Sequence, residues 1–198
     1  MVDADLSLLE RWREGDSTAG NELFKRHFSS LYRFYENKID SDVDDLVQEA
    51  FLQCLKGRDT FKRQSTFRTY LFAIARYVLF QYWRKKATSH GTVDFEDVSI
   101  ASLSTSAATR LSRNAERAQL VAIMRTLPVD QQLLLEMYYW EGLDRDQLSE
   151  VFDVEPATIG SRLFRARQAL QEGMKDSRPG KPEELDAWAR SLASDDQR

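Results

Sequence analysis

Apolar residues recur at intervals of three and four along most of this chain and never settle into strict alternation, a spacing that belongs to amphipathic helices rather than strands. Only 8 Gly and 4 Pro interrupt the 198 residues, so long helices are favoured and the predicted fold class is all-α. At 42% hydrophobic, the chain can build one or two ordinary cores. The periodicity fades over 87–111, where Ser, Thr and Ala dominate, and that composition reads as a flexible linker. The expected organisation is therefore two small helical domains, 1–86 and 112–173, followed by a tail over 174–198.

Four helices are predicted in the first domain. Leu6 to Glu14 stops at Gly15, and Asp16 or Ser17 caps a helix to Asn37 with Leu23, Phe24, Phe28, Leu31 and Phe34 as its core stripe. Ser41 or Asp42 caps the third, with Val43, Leu46, Ala50 and Leu55 inward and Gly57 at its end. The fourth begins near Ser65 and carries Phe67, Leu71, Ile74 and Val78. In the second domain, a helix from Ser112 to Thr126 meets Pro128, Asp130 caps Gln131 to Glu141, and two further helices span Asp144 to Phe152 and Pro156 to about Glu172. In the tail, Leu185, Trp188, Ala189 and Leu192 lie on one face of a short helix that is ordered only if that face is buried.

A formal net charge of -4 argues against a nucleic-acid partner only on average. Between Phe61 and Lys86 there is no acid, while Lys62, Arg63, Arg68, Arg76, Arg84, Lys85 and Lys86 are all basic. From Pro156 to Gln171 the charges are Arg162, Arg165 and Arg167 alone. Acids concentrate over 40–49 and 144–155, so the chain is polarised into surfaces suited to different partners.

Three segments carry the functional argument. Leu148, Val151, Val154, Ile159 and Leu163 let two helices bury one shared face across a three-residue turn, as in a helix-turn-helix, with Pro156 suited to the first turn of the second. This arrangement leaves Ala157, Thr158, Ser161, Arg162 and Arg165 outward, where small residues permit approach to a major groove and arginines reach phosphates or base edges. In the acid-free stretch before the linker, aromatic residues interleave with cations, a composition suited to stacking on unpaired bases. Phe67, Phe72 and Phe80 are expected in the core there, and Tyr70, Tyr77 and Trp83 at the surface. Finally, Asp42, Asp45 and Glu49 share one helical face. This face would admit a metal site only with a second carboxylate cluster opposite, and none is evident. His27 and His90 lack partners at metal-ligand spacing, and no phosphate loop or nucleophile motif appears, so no catalytic residue, metal or cofactor is expected.

DDLVQEAFLQCL, FKRQSTFRTYLFAIARYVL and LPVDQQLLLEMYYWEGLDRDQLSEVFDVEPATIGSRLFRARQAL, in that order, resemble regions two and four of the extracytoplasmic-function (ECF) sigma factors. The resemblance implies a non-enzymatic protein that binds core RNA polymerase and promoter DNA and takes no small-molecule substrate. It places Asp44, Asp45, Gln48 and Glu49 against the polymerase clamp. It gives capture of a flipped minus-ten base to Lys62, Arg63, Gln64, Ser65 and Thr66, and support of the separated strand to Arg68, Tyr70, Arg76, Tyr77 and Arg84. Minus-35 reading falls to Ala157, Thr158, Ser161, Arg162, Phe164 and Arg165. An anti-sigma factor is a common partner in that family. Gly160 stands where the family usually has Lys or Arg, Tyr77 where many members have Asn, and Asp153 at a turn position commonly held by Gly.

The competing readings are a free-standing helix-turn-helix regulator, which would bind duplex DNA alone, and a small metal-dependent enzyme. The amphipathic, acidic start of the chain is neither a secretory signal nor an anchor, no apolar run spans a membrane, and Cys54 is the single cysteine. The expected location is the cytoplasm, without membrane insertion.

Overall fold

The computed structural model describes residues 4–61, 65–87, 98–103, 115–175 and 182–194. The described elements are helices, apart from an isolated bridge between Ser99 and Pro128, and the chain divides into two compact units.

The first unit is built on α1 (Ala4–Arg13), α2 (Ser17–Glu36), α3 (Val43–Gly57) and α4 (Phe67–Ala87). Gly15, at φ +103°, turns the chain between α1 and α2 in a conformation that side chains resist. Asp16 then caps α2, its Oδ1 accepting from the Thr18 and Ala19 amides at 3.0 and 3.2 Å. Packing centres on Leu9, Leu23, Leu31, Tyr35, Phe67, Leu71, Phe72 and Leu79, all buried. The Tyr35 hydroxyl is satisfied by donating to the Ala75 carbonyl of α4 at 3.1 Å. The Trp12 ring lies directly over Gly20 and meets the Phe24 ring edge-on at 5.0 Å. At the other end, His27 is buried, with its Nε2 2.6 Å from Asp5 of α1, and Arg26 pairs with the same carboxylate. Burial pushes the Asp5 carboxyl up, but the bonds and charges of His27 and Arg26 outweigh it and hold the group below the usual carboxylate range. Cys54 is fully buried, which pushes its thiol up to about 12.

Several expectations for this unit change. Phe28 and Leu55 face solvent at 45% and 41% exposure, and Cys54 fills the inward position on α3. Asp42 stands at the α3 N-cap in a left-handed conformation (φ 68°) and makes no side-chain cap bond. Its carboxylate instead accepts from the Ser41 and Tyr82 hydroxyls at 2.8 and 3.2 Å. Trp83, expected at the surface, is buried beside Phe80.

The second unit comprises chiefly α5 (Ile100–Leu103), α6 (Ala115–Met124), α7 (Val129–Tyr139), α8 (Arg145–Phe152), α9 (Pro156–Gly173) and α10 (Pro182–Ser194). Pro128, rather than Asp130, occupies the N-cap of α7; Asp130 sits in its first turn, where a carboxylate favours the helix dipole. Asp144 caps α8 reciprocally with Gln147, each accepting from the other's amide at 2.8 and 2.9 Å. The α8–α9 turn closes as a Schellman motif, with Val154 N–H donating to Ser149 O and Asp153 N–H to Glu150 O around Asp153 at φ 52°. Part of the predicted linker is structured: Ile100 is fully buried, Val129 N–H donates to Val98 O, and Ala101 N–H donates to Arg125 O.

The tail helix α10 packs Trp188, Ala189 and Leu192 onto α6, α7 and α9. Its Asp186 accepts from the Tyr139 hydroxyl at 2.5 Å and pairs with Arg167 at 3.1 Å. Burial and that carboxylate push the Tyr139 phenol well above its ordinary range.

Candidate functional site

Asp44, Asp45, Gln48 and Glu49 are all exposed on α3, the first two in its opening turn, where the helix dipole offsets their mutual repulsion. Glu49 accepts from Gln53 at 2.6 Å, a bond along the helix that leaves the carboxylate at the surface. Leu52 continues this face one turn on at 48% exposure, so the acids border an apolar ledge. A helical stripe gave no reason to single out Leu52; only its exposure does. Among the described residues, no three of His, Cys, Asp and Glu stand where they could hold a metal ion.

The second surface is narrower than its composition predicts. Lys62, Arg63 and Gln64 lie outside the described residues. Thr66 caps α4: its Oγ1 accepts from the Thr69 amide at 3.1 Å and shares a 2.9 Å bond with the Thr69 hydroxyl. Tyr70 is not a free platform. Its ring packs 4.7 Å from Phe61, its hydroxyl sits over Gly57, and burial pushes the phenol up to about 12. Arg68 and Arg76 are half-buried over Phe72 and Phe80 at 5.9 and 4.5 Å from the ring centres. Tyr77 (56% exposed) and Arg84 remain at the surface, seven residues apart on one face with half-exposed Gln81 between them. Arg13 is a contributor the sequence did not signal. From α1 it donates to the Arg58 and Phe61 carbonyls at 2.7 and 2.5 Å, fixing the chain that leads into the basic loop.

On α9, Ala157, Ser161 and Arg165 are exposed and Thr158 and Arg162 half-buried, while Ile159, Leu163 and Ala166 form the opposite, buried face. Phe164 is 61% exposed, an apolar ring beside the arginines, suited to contact with a thymine methyl. The Ser161 hydroxyl donates to Ala157 O at 3.3 Å, so it can also accept from a ligand. Gly160 has open space around it: a methyl added there would have Arg145 Nη1, at 4.0 Å, as its nearest neighbour.

Two family descriptions match the chain: Sigma-70 region 2 over residues 23–88, which holds the first two surfaces, and Sigma-70, region 4 over 117–170, which holds the third. Together they span more than half of it. The ECF RNA polymerase sigma-E factor of Escherichia coli K12 is 27% identical over 175 residues, covering 84% of this chain and 92% of that protein. Its Haemophilus influenzae counterpart is 28% identical over 177 residues, with 84% and 93% covered. In fold, the chain is similar to CnrH, solved with the cytosolic domain of CnrY (TM-score 0.65, 20% identity, 89% of this chain and 100% of that one). It is likewise similar to the sigma factor RpoE of Bartonella quintana, solved with the anti-sigma factor NepR (TM-score 0.61, 20% identity, 80% and 98% covered). Region two and region four, in that order and on the two units where the acidic, aromatic-basic and helix-turn-helix surfaces lie, show that the chain belongs to the ECF group of RNA polymerase sigma factors.

Proposed function

We propose that the two units divide the work of promoter recognition, with the chain acting in the cytoplasm and polymerase supplying all the chemistry. The first, 1–86, docks on core polymerase through Asp44, Asp45, Gln48 and Glu49, with Leu52 adding apolar contact. Its α4 face, Tyr77 and Arg84 foremost, supports the opened minus-ten strand. The second, 112–173, reads the minus-35 element through Ala157, Thr158, Ser161, Arg162, Phe164 and Arg165. The observation that carries this reading is the outward face of α9, free of acids from Pro156 to Gln171 and presented by a closed Schellman turn, in a domain matched to region four. Because both solved neighbours were captured with a partner protein, one described as an anti-sigma factor, a protein inhibitor of that kind is part of the proposal.

The test is reconstitution with purified core polymerase. Asp45→Lys with Glu49→Lys should abolish core binding while leaving the helical spectrum unchanged and lowering stability by only about 1 kcal/mol, since both side chains are exposed and the loss is that of a charge at the α3 N-terminus. Undiminished binding would overturn the docking assignment. Tight, specific duplex binding by the free chain would favour an independent regulator instead.

A further inference from the structure

The tail helix lies beyond both matched stretches, yet it fills a groove that is built like a binding site. A 13-residue helix is marginal in water on its own, so α10 takes its order from its seat. That seat is a trough between α6, α7 and α9, floored by Leu120, Met124, Leu170 and Met174. Trp188, Ala189 and Leu192 enter it, while Ala187, Arg190 and Ser191 stay exposed, so one amphipathic stripe meets one apolar groove.

The rim adds polar selection. Arg167 and Tyr139 converge on the Asp186 carboxylate. The Trp140 indole donates to Ala189 O at 3.1 Å, and Glu116 accepts from the Trp188 indole at 2.8 Å. These groups specify a pattern: a carboxylate, then two residues later a large aromatic with an N–H, then four residues on an aliphatic side chain. The groove lies on the side of α9 formed by Ala166 and Leu170, while the proposed DNA contacts occupy its exposed face, so both can be filled at once.

We propose that this trough is a docking site for an amphipathic helix of a protein partner carrying the acid-aromatic-aliphatic pattern, and that α10 occupies it in cis as an internal competitor. Freed of α10, the trough would expose a contiguous apolar surface of the kind that marks interaction sites. Charge complementarity selects the occupant, because Arg167 calls for an acidic residue at the start of the incoming helix. The cis helix has the advantage of covalent tethering, so a trans helix must match its pattern to displace it. This inference rests on the geometry of the second unit alone, so failure of the chain to bind polymerase would sink the functional reading and leave the groove untouched.

The experiment uses the full chain and two fluorescein-labelled peptides read by anisotropy. One peptide is residues 182–198; the other keeps only the residues at 186, 188, 189 and 192 and replaces the rest with other helix formers. Both should bind the Trp188→Ala, Leu192→Ala double variant at least ten-fold more tightly than the wild-type chain, because the cis competitor is weakened. Asp186→Asn, which leaves the apolar contacts in place, should raise peptide affinity by about three-fold and keeps the test informative if the double variant unfolds. Equal affinity for wild-type and variant chains, or no binding to a variant with native helicity, would overturn the proposal. Binding of the native peptide without the pattern peptide would also overturn it, by reducing α10 to a structural piece of its own domain.

Discussion

Gly20→Ala isolates a contest between two effects of opposite sign. In an exposed helix interior the change gains about 0.8–1.0 kcal/mol, the difference in helix propensity. At position 20, however, the added methyl would meet three atoms of the Trp12 indole at 2.5, 2.6 and 2.8 Å. The indole cannot easily withdraw, because it is buried, with Phe24 against it at 5.0 Å and the Arg58 guanidinium 5.3 Å from its ring centre. Overpacking of this kind costs about 1–3 kcal/mol, and a clash with a ring rather than a chain end belongs at the upper end. The net expectation is a loss of about 2 kcal/mol, or roughly 8–16 °C in the melting of a domain this size. Gly160→Ala is the control: the nearest atom to an added methyl is Arg145 Nη1 at an unstrained 4.0 Å, so the propensity gain stands alone and the second unit should melt about 4–8 °C higher. Thermal and urea unfolding followed by far-ultraviolet circular dichroism reads both. Shifts of the same sign, or a Gly20→Ala chain as stable as wild type, would refute the claim that Trp12 demands glycine beneath it.

Arg165→Ala should either lower the salt slope of promoter binding by about one, if it contacts phosphate, or cost about 1–3 kcal/mol and relax minus-35 preference, if it contacts a base. Filter binding of the holoenzyme across salt separates these cases, and indifference to both Arg162→Ala and Arg165→Ala would remove α9 from the DNA. Asp5→Asn should destabilise the first unit near neutral pH and progressively less on acidification. The folded carboxyl is held below its unfolded value of 3.8, so its contribution is present above 3.8 and lost as pH falls through the depressed folded value. Urea midpoints against pH check this; a constant difference between the two chains down to pH 3 would refute it.

Helical phase made most of the fold legible, and its failures share a cause. Phe28 and Leu55 sit at the border of their stripes, where a few tens of degrees decide between core and solvent, and only the placement of the neighbouring helix settles the matter. Trp83 reads as an interface residue because Arg84, Lys85 and Lys86 follow it, yet it lies four residues beyond Leu79 on the buried face. Here phase outweighs local charge. Asp153 was readable only through the resemblance, since it stands at a turn position where the family commonly has Gly, and it adopts the left-handed conformation. Ile100 was not, since the apolar residues scattered through this Ser/Thr-rich stretch, Val98 and Leu103 among them, follow no sustained period that would betray it. The site followed the same pattern. The exposed face of α9 follows from its buried one, whereas the withdrawal of Tyr70 beneath Gly57 depends on how α3 ends against α4.

The placement of Cys54 determines what kind of signal this chain can receive. A thiol with no exposed surface, and held protonated by its surroundings, offers an oxidant neither access nor the thiolate through which such reactions run. As the chain's single cysteine, it also lacks a resolving partner within the molecule. In the folded chain, cysteine oxidation therefore has no foothold.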